Sequence, residues 1–336
     1  MKKFVAIFLI FIIAAGAGGY LYLQSKLGEK IPHAEDVQVK IPKGTSLAGC
    51  IDILNMHGIL RPDWLFENYA RVKAKFGNKS IIAGYYNFPP GFTNKDVLDA
   101  IFSGSSLDIV RVTLPEGYSY TRYMAILAEK VKLNEAELLR FCRSDSLLNA
   151  RNIPADNVEG YLLPETYEFF RRQPENEVLD RILNAQESFW TDSRFKKARE
   201  LGYNRHEILT LASIIEAESP VVDERARISG VYHNRLERGM LLQADPTVQY
   251  AIGEKRRLLY RDLEVNDPYN TYKFTGLPPG PINNPAKSAI IAALNPEDHN
   301  FLYFVAVGDG TGRHNFAKTL AQHNIYKQLF RRNVRR

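Results

Sequence analysis

Leu209-Thr210-Leu211-Ala212-Ser213-Ile214-Ile215-Glu216-Ala217-Glu218-Ser219-Pro220 sets two glutamates inside an apolar run. Upstream, Asn204 with Glu207 three residues later reads as a capping box with Asn in place of Ser or Thr. Downstream, Pro220 ends the pattern, because the residue before a proline avoids the helical region. The stretch therefore reads as a helix buried in a folded domain. At about 100° per residue, Glu216 and Glu218 stand about 200° apart and cannot point into one site. Glu216 shares a face with Leu209, Ala212 and Ser213, and Glu218 with Leu211, Ile214 and Ile215. Both faces are apolar, and ionised carboxylates rarely stay among such side chains without a partner or a task. Periodicity alone does not choose between the two.

Working outward, a helix over about 223–238 stops at Gly239, as a C-terminal glycine should. Another is expected from Glu175 to Arg199. The stretch Val158-Glu159-Gly160-Tyr161-Leu162-Leu163-Pro164-Glu165-Thr166-Tyr167-Glu168-Phe169-Phe170, aromatic and interrupted by proline, reads as packing between elements. Beyond Gly239 the chain is polar and loop-rich, through QADPTVQY and NDPYNTYKFTGLPPGPINNP, before apolar AIIAALNP and strand-like FLYFVAVG. Long irregular segments in a compact domain are often functional.

Nearer the N-terminus the sequence repeats itself. Pro42-Lys43-Gly44-Thr45-Ser46, Pro89-Pro90-Gly91-Phe92-Thr93 and Pro115-Glu116-Gly117-Tyr118-Ser119 all read P-x-G-x-[ST]. Alternating Val37, Val39, Ile41 precede the first and Val110, Val112, Leu114 the third, the period of a half-buried strand. Helical patterns follow each turn, where glycine supplies the unusual dihedral and Ser or Thr the cap. A further helix is expected around Trp64 to Phe76.

From Phe4 to Ser25 there is no charge. Such a run meets the length of about 20 residues needed to span a bilayer, and Lys2 and Lys3 before it favour a cytoplasmic N-terminus. Cleavage at Ala15-Gly16-Ala17 is the competing reading, but the apolar run continues through Tyr20-Leu21-Tyr22-Leu23, so an uncleaved anchor is expected. The net charge of +6 is partly terminal, from Lys2, Lys3, Arg331, Arg332, Arg335 and Arg336. No zinc-finger spacing, RNP-like aromatic box or long basic run points to nucleic acid. Cys50 and Cys142 sit in apolar helical patterns and read as buried free thiols rather than a disulfide framework.

Other chemistries fail on their spacing. His206-Glu207-Ile208-Leu209-Thr210 has Thr where a zinc-protease helix needs its second His. Ser193-Arg194-Phe195-Lys196 matches S-x-x-K without the companion motifs of penicillin-recognising enzymes. There is no G-x-S-x-G, phosphate loop or dinucleotide fingerprint. Carboxylate chemistry remains.

At this point the sequence resembles the YceG-like family of endolytic murein transglycosylases over nearly its whole length. The resemblance is carried by the N-terminal apolar run, Glu159-Gly160-Tyr161-Leu162 with Pro164 and Thr166-Tyr167, Ala212 to Glu216, and Asn234-Arg235-Leu236. Gln243 to Val248, Asn270-Thr271-Tyr272, Gly276 to Ile282 and Phe304-Val305-Ala306 complete it. Departures are mild: Leu163 and Glu165 replace the family's usual Phe and Asp, and the loop Gly308 to Arg313 is slightly long.

The resemblance implies an α+β protein with a cytoplasmic stub (1–3), a transmembrane anchor (4–25), a stem (26–36), a LysM-like domain (37–108) and a YceG-like catalytic domain (109–336) outside the cytoplasm. It assigns catalysis to Glu216, acting as acid and then as base on nascent glycan strands, with no metal or organic cofactor. The muramic acid's own 6-hydroxyl would displace the neighbouring sugar and leave a 1,6-anhydro end. Gln243, Asp245, Asn270 and Tyr272 are expected to hold the sugar, with Tyr272 stacking on it; an even alternative for Asp245-Pro246-Thr247 is a helix cap. Glu218 is expected to be a structural partner of Arg225 or Arg235. Cell-wall synthases are implied partners. Two rivals stand beside this reading: a hydrolytic muramidase with Asp245 as second carboxylate, and a non-catalytic peptidoglycan-binding scaffold.

Overall fold

The computed structural model describes residues 2–334. Met1, Arg335 and Arg336, parts of the expected stub and of the basic C-terminal end, lie outside the described residues. The chain is mixed α+β and divides into two compact units, Met1–Val110 and Arg111–Arg336.

Unit 1 begins with α1 (Lys2–Leu27), whose segment Lys3–Leu27 has a mean hydropathy of 2.4. Its length and composition are compatible with a membrane anchor. Then come β1 (Val37–Ile41), α2 (Leu47–Met56), α3 (Trp64–Phe76), β2 (Gly84–Phe88) and α4 (Asn94–Ser103). β1 and β2 pair antiparallel, with Val37 opposite Phe88 and Ile41 opposite Gly84. This register turns Val39, Ile41, Tyr86 and Phe88 inward onto Leu54, Phe66, Val97, Leu98 and Ile101. The end of α1 shares that core: Leu27 is buried in it and Leu23 packs against it. The segment expected as a stem is therefore part of the unit. Ile31 is buried, its N–H donates to Phe92 O, and Asn94 Nδ2 donates to Lys26 O.

Unit 2 carries most of β3 (Ile109–Thr113), which pairs with β4 (Thr166–Phe170). Between them lie α5 (Tyr120–Leu127), α6 (Glu135–Cys142) and α7 (Asp145–Ala150). The expected helix from Glu175 to Arg199 is two: α8 (Glu175–Phe189) and α9 (Asp192–Glu200). The break lies at Thr191, whose hydroxyl accepts from Arg194 N–H and starts a new helix, while Trp190 turns in against Phe195. Then follow α10 (Arg205–Glu218), α11 (Arg225–Glu237), α12 (Asp245–Ile252), α13 (Lys287–Leu294), the hairpin β5 (Tyr303–Ala306) with β6 (His314–Ala317), and α14 (Leu320–Val334). α12 replaces part of the polar loop expected after Gly239; Pro246 sits in its first turn, where a missing N–H costs nothing. α10 is buried from Ile208 to Ile215 and packs chiefly on α13, with α11 and α12 beside it.

All three P-x-G-x-[ST] turns join a strand to a helix as their sequence requires. Ser46, Thr93 and Ser119 each cap the following helix with their hydroxyl. Cys50 and Cys142 are free and buried, and burial pushes both thiols up to about 12.

Candidate active site

Glu216 lies in the last turn of α10, where both carboxylate oxygens find donors. Oε1 accepts from Arg225 Nη2 at 2.6 Å and Oε2 from the Ala286 N–H at 3.0 Å. The Glu216 side chain is 7% exposed and that of Arg225 4%. Arg225 also donates to Ser288 Oγ at 2.6 Å, and the carboxylate of Glu116 stands 4.0 Å from it. Burial raises the Glu216 pKa above the ordinary carboxylate value. The Ala286 N–H and Arg225 pull it down and the neighbouring charge of Glu116 pushes it up; burial prevails. A carboxyl that is dry yet held by two donors can carry a proton and can also stabilise the charge left when that proton goes.

Three segments converge here. Residues 281–286 run along the face of α10 that carries Ser213 and Glu216: Ile282 N–H donates to Ser213 Oγ and Asn283 Nδ2 to Ser213 O. The third P-x-G-x-S turn pairs with them, Gly117 N–H donating to Asn284 O and Asn284 N–H to Tyr118 O, both at 3.0 Å. Gly117 has φ +70°, and a Cβ there would lie 3.6 Å from Glu216 Cγ. The third segment is Glu159–Leu162. Asn284 Oδ1 accepts from the N–H groups of Gly160 and Leu162, while its Nδ2 donates to Glu159 Oε1, which also accepts from Tyr120 N–H. Burial pushes Glu159 up to about 8. Gly160, at φ +81°, leaves no room for a Cβ, which would sit 2.4 Å from the ring of Pro281. Tyr161 and His206 clamp the same loop: His206 Nε2 donates to Pro279 O, a pure acceptor, and its Nδ1 hydrogen-bonds the Tyr161 hydroxyl.

Glu218 occupies a separate environment. Its Oε1 accepts from Tyr232 Oη at 2.9 Å, and burial pushes it up to about 7, with Asp245 adding to the rise and Arg235 opposing it. Arg225, one expected partner, pairs with Glu216 instead. Arg235 acts on Glu218 only through its field, because its guanidinium donates to Leu302 O and Leu242 O.

The four expected sugar contacts fall into two groups. Asp245 is exposed at the start of α12 and accepts from Tyr272 Oη at 2.5 Å; it makes no side-chain cap. Gln243 is exposed beside them with φ +51°, a left-handed conformation held by its N–H to Thr271 O. Asn270 is different. It is fully buried, its Nδ2 donates to Leu263 O and Val265 O, and its Oδ1 accepts from Tyr272 N–H. Its amide shapes the loop that presents Tyr272. Sequence reading missed Arg225 as the partner of Glu216, and Glu116 and Asn284 altogether. The acidic x of the third turn was the one available signal for Glu116. Among the described residues no group of three or more His, Cys, Asp or Glu side chains is placed to hold a metal ion.

The profile of the YceG-like family matches residues 39–328. The chain belongs to the YceG-like family. It is 31% identical to the endolytic murein transglycosylase of Bacillus subtilis over 93% of this chain and 90% of that protein. The endolytic murein transglycosylase of Streptococcus pneumoniae is 27% identical over 91% of this chain, which spans 61% of that longer protein. A crystal structure of a YceG-like protein from Listeria monocytogenes is 32% identical, with a TM-score of 0.59, over 87% of this chain and 99% of that one.

Proposed function

We propose that the chain is a membrane-anchored lytic transglycosylase that cuts peptidoglycan strands internally, with Glu216 as acid and then base. Family membership and the relatives' names support the reaction class. The observation that carries the residue assignment is the carboxyl of Glu216, desolvated yet gripped by the Ala286 N–H and Arg225. In this reading protonated Glu216 gives its proton to the bridging oxygen as the bond from the muramic C1 breaks. The 6-hydroxyl oxygen of the same sugar then bonds to C1, and its proton returns to Glu216. No water enters, and the attack is intramolecular, so proximity does much of the work. Gln243, Asp245 and Tyr272 are proposed to contact the sugar, with Asn270 supporting the loop. The β1–α2–α3–β2 order of unit 1 supports the LysM-like reading, and α1 supports single-pass anchoring with the rest of the chain outside. Cell-wall synthases are retained as proposed partners.

The test is the product. New muramic ends released from glycan strands by the full chain should be lighter by one water than hydrolytic ends and should resist borohydride. Glu216→Gln should lower cleavage at least about a hundredfold while the protein stays folded. Reducible ends, lost on changing Asp245, would transfer the case to a two-carboxylate hydrolase. One observation favours a second assignment. Glu218, pushed up to about 7 and held by one neutral hydroxyl, is also poised as an acid. A folded but inactive Glu218→Gln beside an active Glu216→Gln would reverse the roles.

A further inference from the structure

Helix α3 buries Phe66 and Ala70 in the core of unit 1 and leaves its outer face bare. Trp64 is 76% exposed and Phe76 86%, with Val72 exposed between them. Arg71, Lys75 and Lys79 are exposed as well, Arg71 pairing with Glu67 at 3.2 Å. At about 100° per residue, Trp64, Lys75, Val72 and Phe76 fall within an arc of about 120°. Single exposed apolar side chains need no explanation. Two large aromatic rings and a valine on one face, interleaved with cations, have the composition of a helix that lies in a lipid headgroup layer.

What covers that face follows from how α3 is tied to α1. The Tyr22 hydroxyl donates to Asp63 Oδ2 at 2.8 Å, and Asp63 is the residue whose other oxygen caps α3 by accepting from Phe66 N–H. Tyr22 follows Phe4 by 18 positions, which at 1.5 Å per residue is about 27 Å of helix, close to the thickness of about 30 Å of a hydrocarbon core. Lys26, the first charge after Lys3, comes one turn later. Tyr22 therefore stands at the exit interface, where tyrosine and tryptophan concentrate, and Trp64 follows Asp63 directly in the chain.

We propose that the outer face of α3, led by Trp64, lies on the surface of the membrane that α1 crosses, with Arg71, Lys75 and Lys79 against anionic phospholipid headgroups. The proposal rests on α1 spanning that membrane. Unit 1 is then a second, peripheral membrane contact, held at a fixed height by the Tyr22–Asp63 bond.

The chain has two tryptophans, Trp64 and the buried Trp190, which makes the test direct. The full chain is reconstituted into phosphatidylcholine vesicles with about one third phosphatidylglycerol, and the acyl chains carry bromine near the headgroup end. Bromine should quench up to about half of the emission. Trp64→Phe should abolish that quenching, and Trp190→Phe should make it nearly complete. Changing Arg71, Lys75 and Lys79 to Glu should relieve it in the anionic vesicles and leave it unaltered in phosphatidylcholine alone. The proposal falls if the Trp190→Phe protein resists alkaline carbonate extraction, so that α1 is inserted, yet its emission ignores bromine and stays open to acrylamide. That outcome would also follow if the face belonged to a protein partner or a glycan. Extraction by carbonate would instead overturn the anchor reading, and this proposal with it.

Discussion

Replacing Arg225 by Met removes the guanidinium from Glu216 and keeps the stem. The two side chains meet at 2.6 Å and are almost dry, 4% and 7% exposed. Charges about 4 Å apart at an effective dielectric of about 20 attract by about 4 kcal/mol. Water entering the vacated space and the surviving Ala286 N–H should recover about half, leaving about 2 kcal/mol as the loss borne by ionised Glu216. At about 1.4 kcal/mol per pH unit, the alkaline limb of kcat/KM should move up by more than about one unit, since Arg225 holds the Glu216 pKa down and its removal lets it rise further. Stability gives an independent reading. A carboxyl whose folded pKa lies above its unfolded value binds the extra proton in the folded state, so its contribution is intact below the ordinary carboxylate value of 4.5 and is lost as pH rises through the folded pKa. The lost bond to Ser288 costs the variant at both pH values, so the deficit should be modest near pH 5 and larger at pH 8. About 3 kcal/mol at pH 8 corresponds to roughly 6–12 °C in Tm for a unit of this size. Thermal melts at both pH values and a pH–rate profile with isolated glycan strands make the check. Equal deficits at the two pH values, or an alkaline limb that stays still or moves down, would refute the coupling of Arg225 to Glu216.

Glu218→Gln mimics the protonated form, so its stability should match the parent near pH 4 and exceed it increasingly as pH rises from 4.5 towards about 7, because Glu218 is pushed up from 4.5 to about 7; the same melts, extended to pH 4, read this, and a deficit at pH 4 would show that shape rather than charge matters. Glu159, pushed up to about 8, should behave alike over a window running higher, and Glu159→Gln should flatten the fall in stability between pH 6 and pH 8 seen in urea titrations; an unchanged slope would place the proton elsewhere. Gly160→Ala drives a Cβ into Pro281 at φ +81° and should cost about 2 kcal/mol or more while lowering kcat more than it raises KM, because the displaced segment carries the Ala286 N–H to Glu216. A stable variant with normal kcat would separate that loop from catalysis.

Local chemistry was legible in the sequence. A turn whose glycine and hydroxyl sit at fixed offsets needs no distant partner, so Ser46, Thr93 and Ser119 could be read as caps, and Asn204 with Glu207 as the start of α10. The break at Thr191 was local too: its hydroxyl starts a new helix, a cap that the expected single helix ran straight across. The site was legible only as far as its glutamates. Arg225 lies nine positions from Glu216 and reaches it by a tight turn between two helices, which no periodicity encodes. Asn284 meets Glu159 across 125 positions, and only folding brings them together. Asn270 is a different case: a polar side chain in a polar loop suggests a ligand, and here its Nδ2 is given to two of the loop's own carbonyls.

The shared core between α1 and unit 1 bears on how freely such a chain can be recombined. Anchors are commonly treated as cassettes, exchangeable at the last apolar residue for a cleavable leader or a foreign span. Here that seam passes through packed side chains: Leu23 rests against the core, Leu27 lies within it, and the carbonyl of Lys26 receives Asn94. A graft at Ser25 would carry Leu23 away, and a secreted form beginning after Leu27 would start with an opened core. Any exchange must preserve the helical phase that delivers Tyr22, Leu23 and Leu27 together, so α1 and the rest of unit 1 behave as one structural piece.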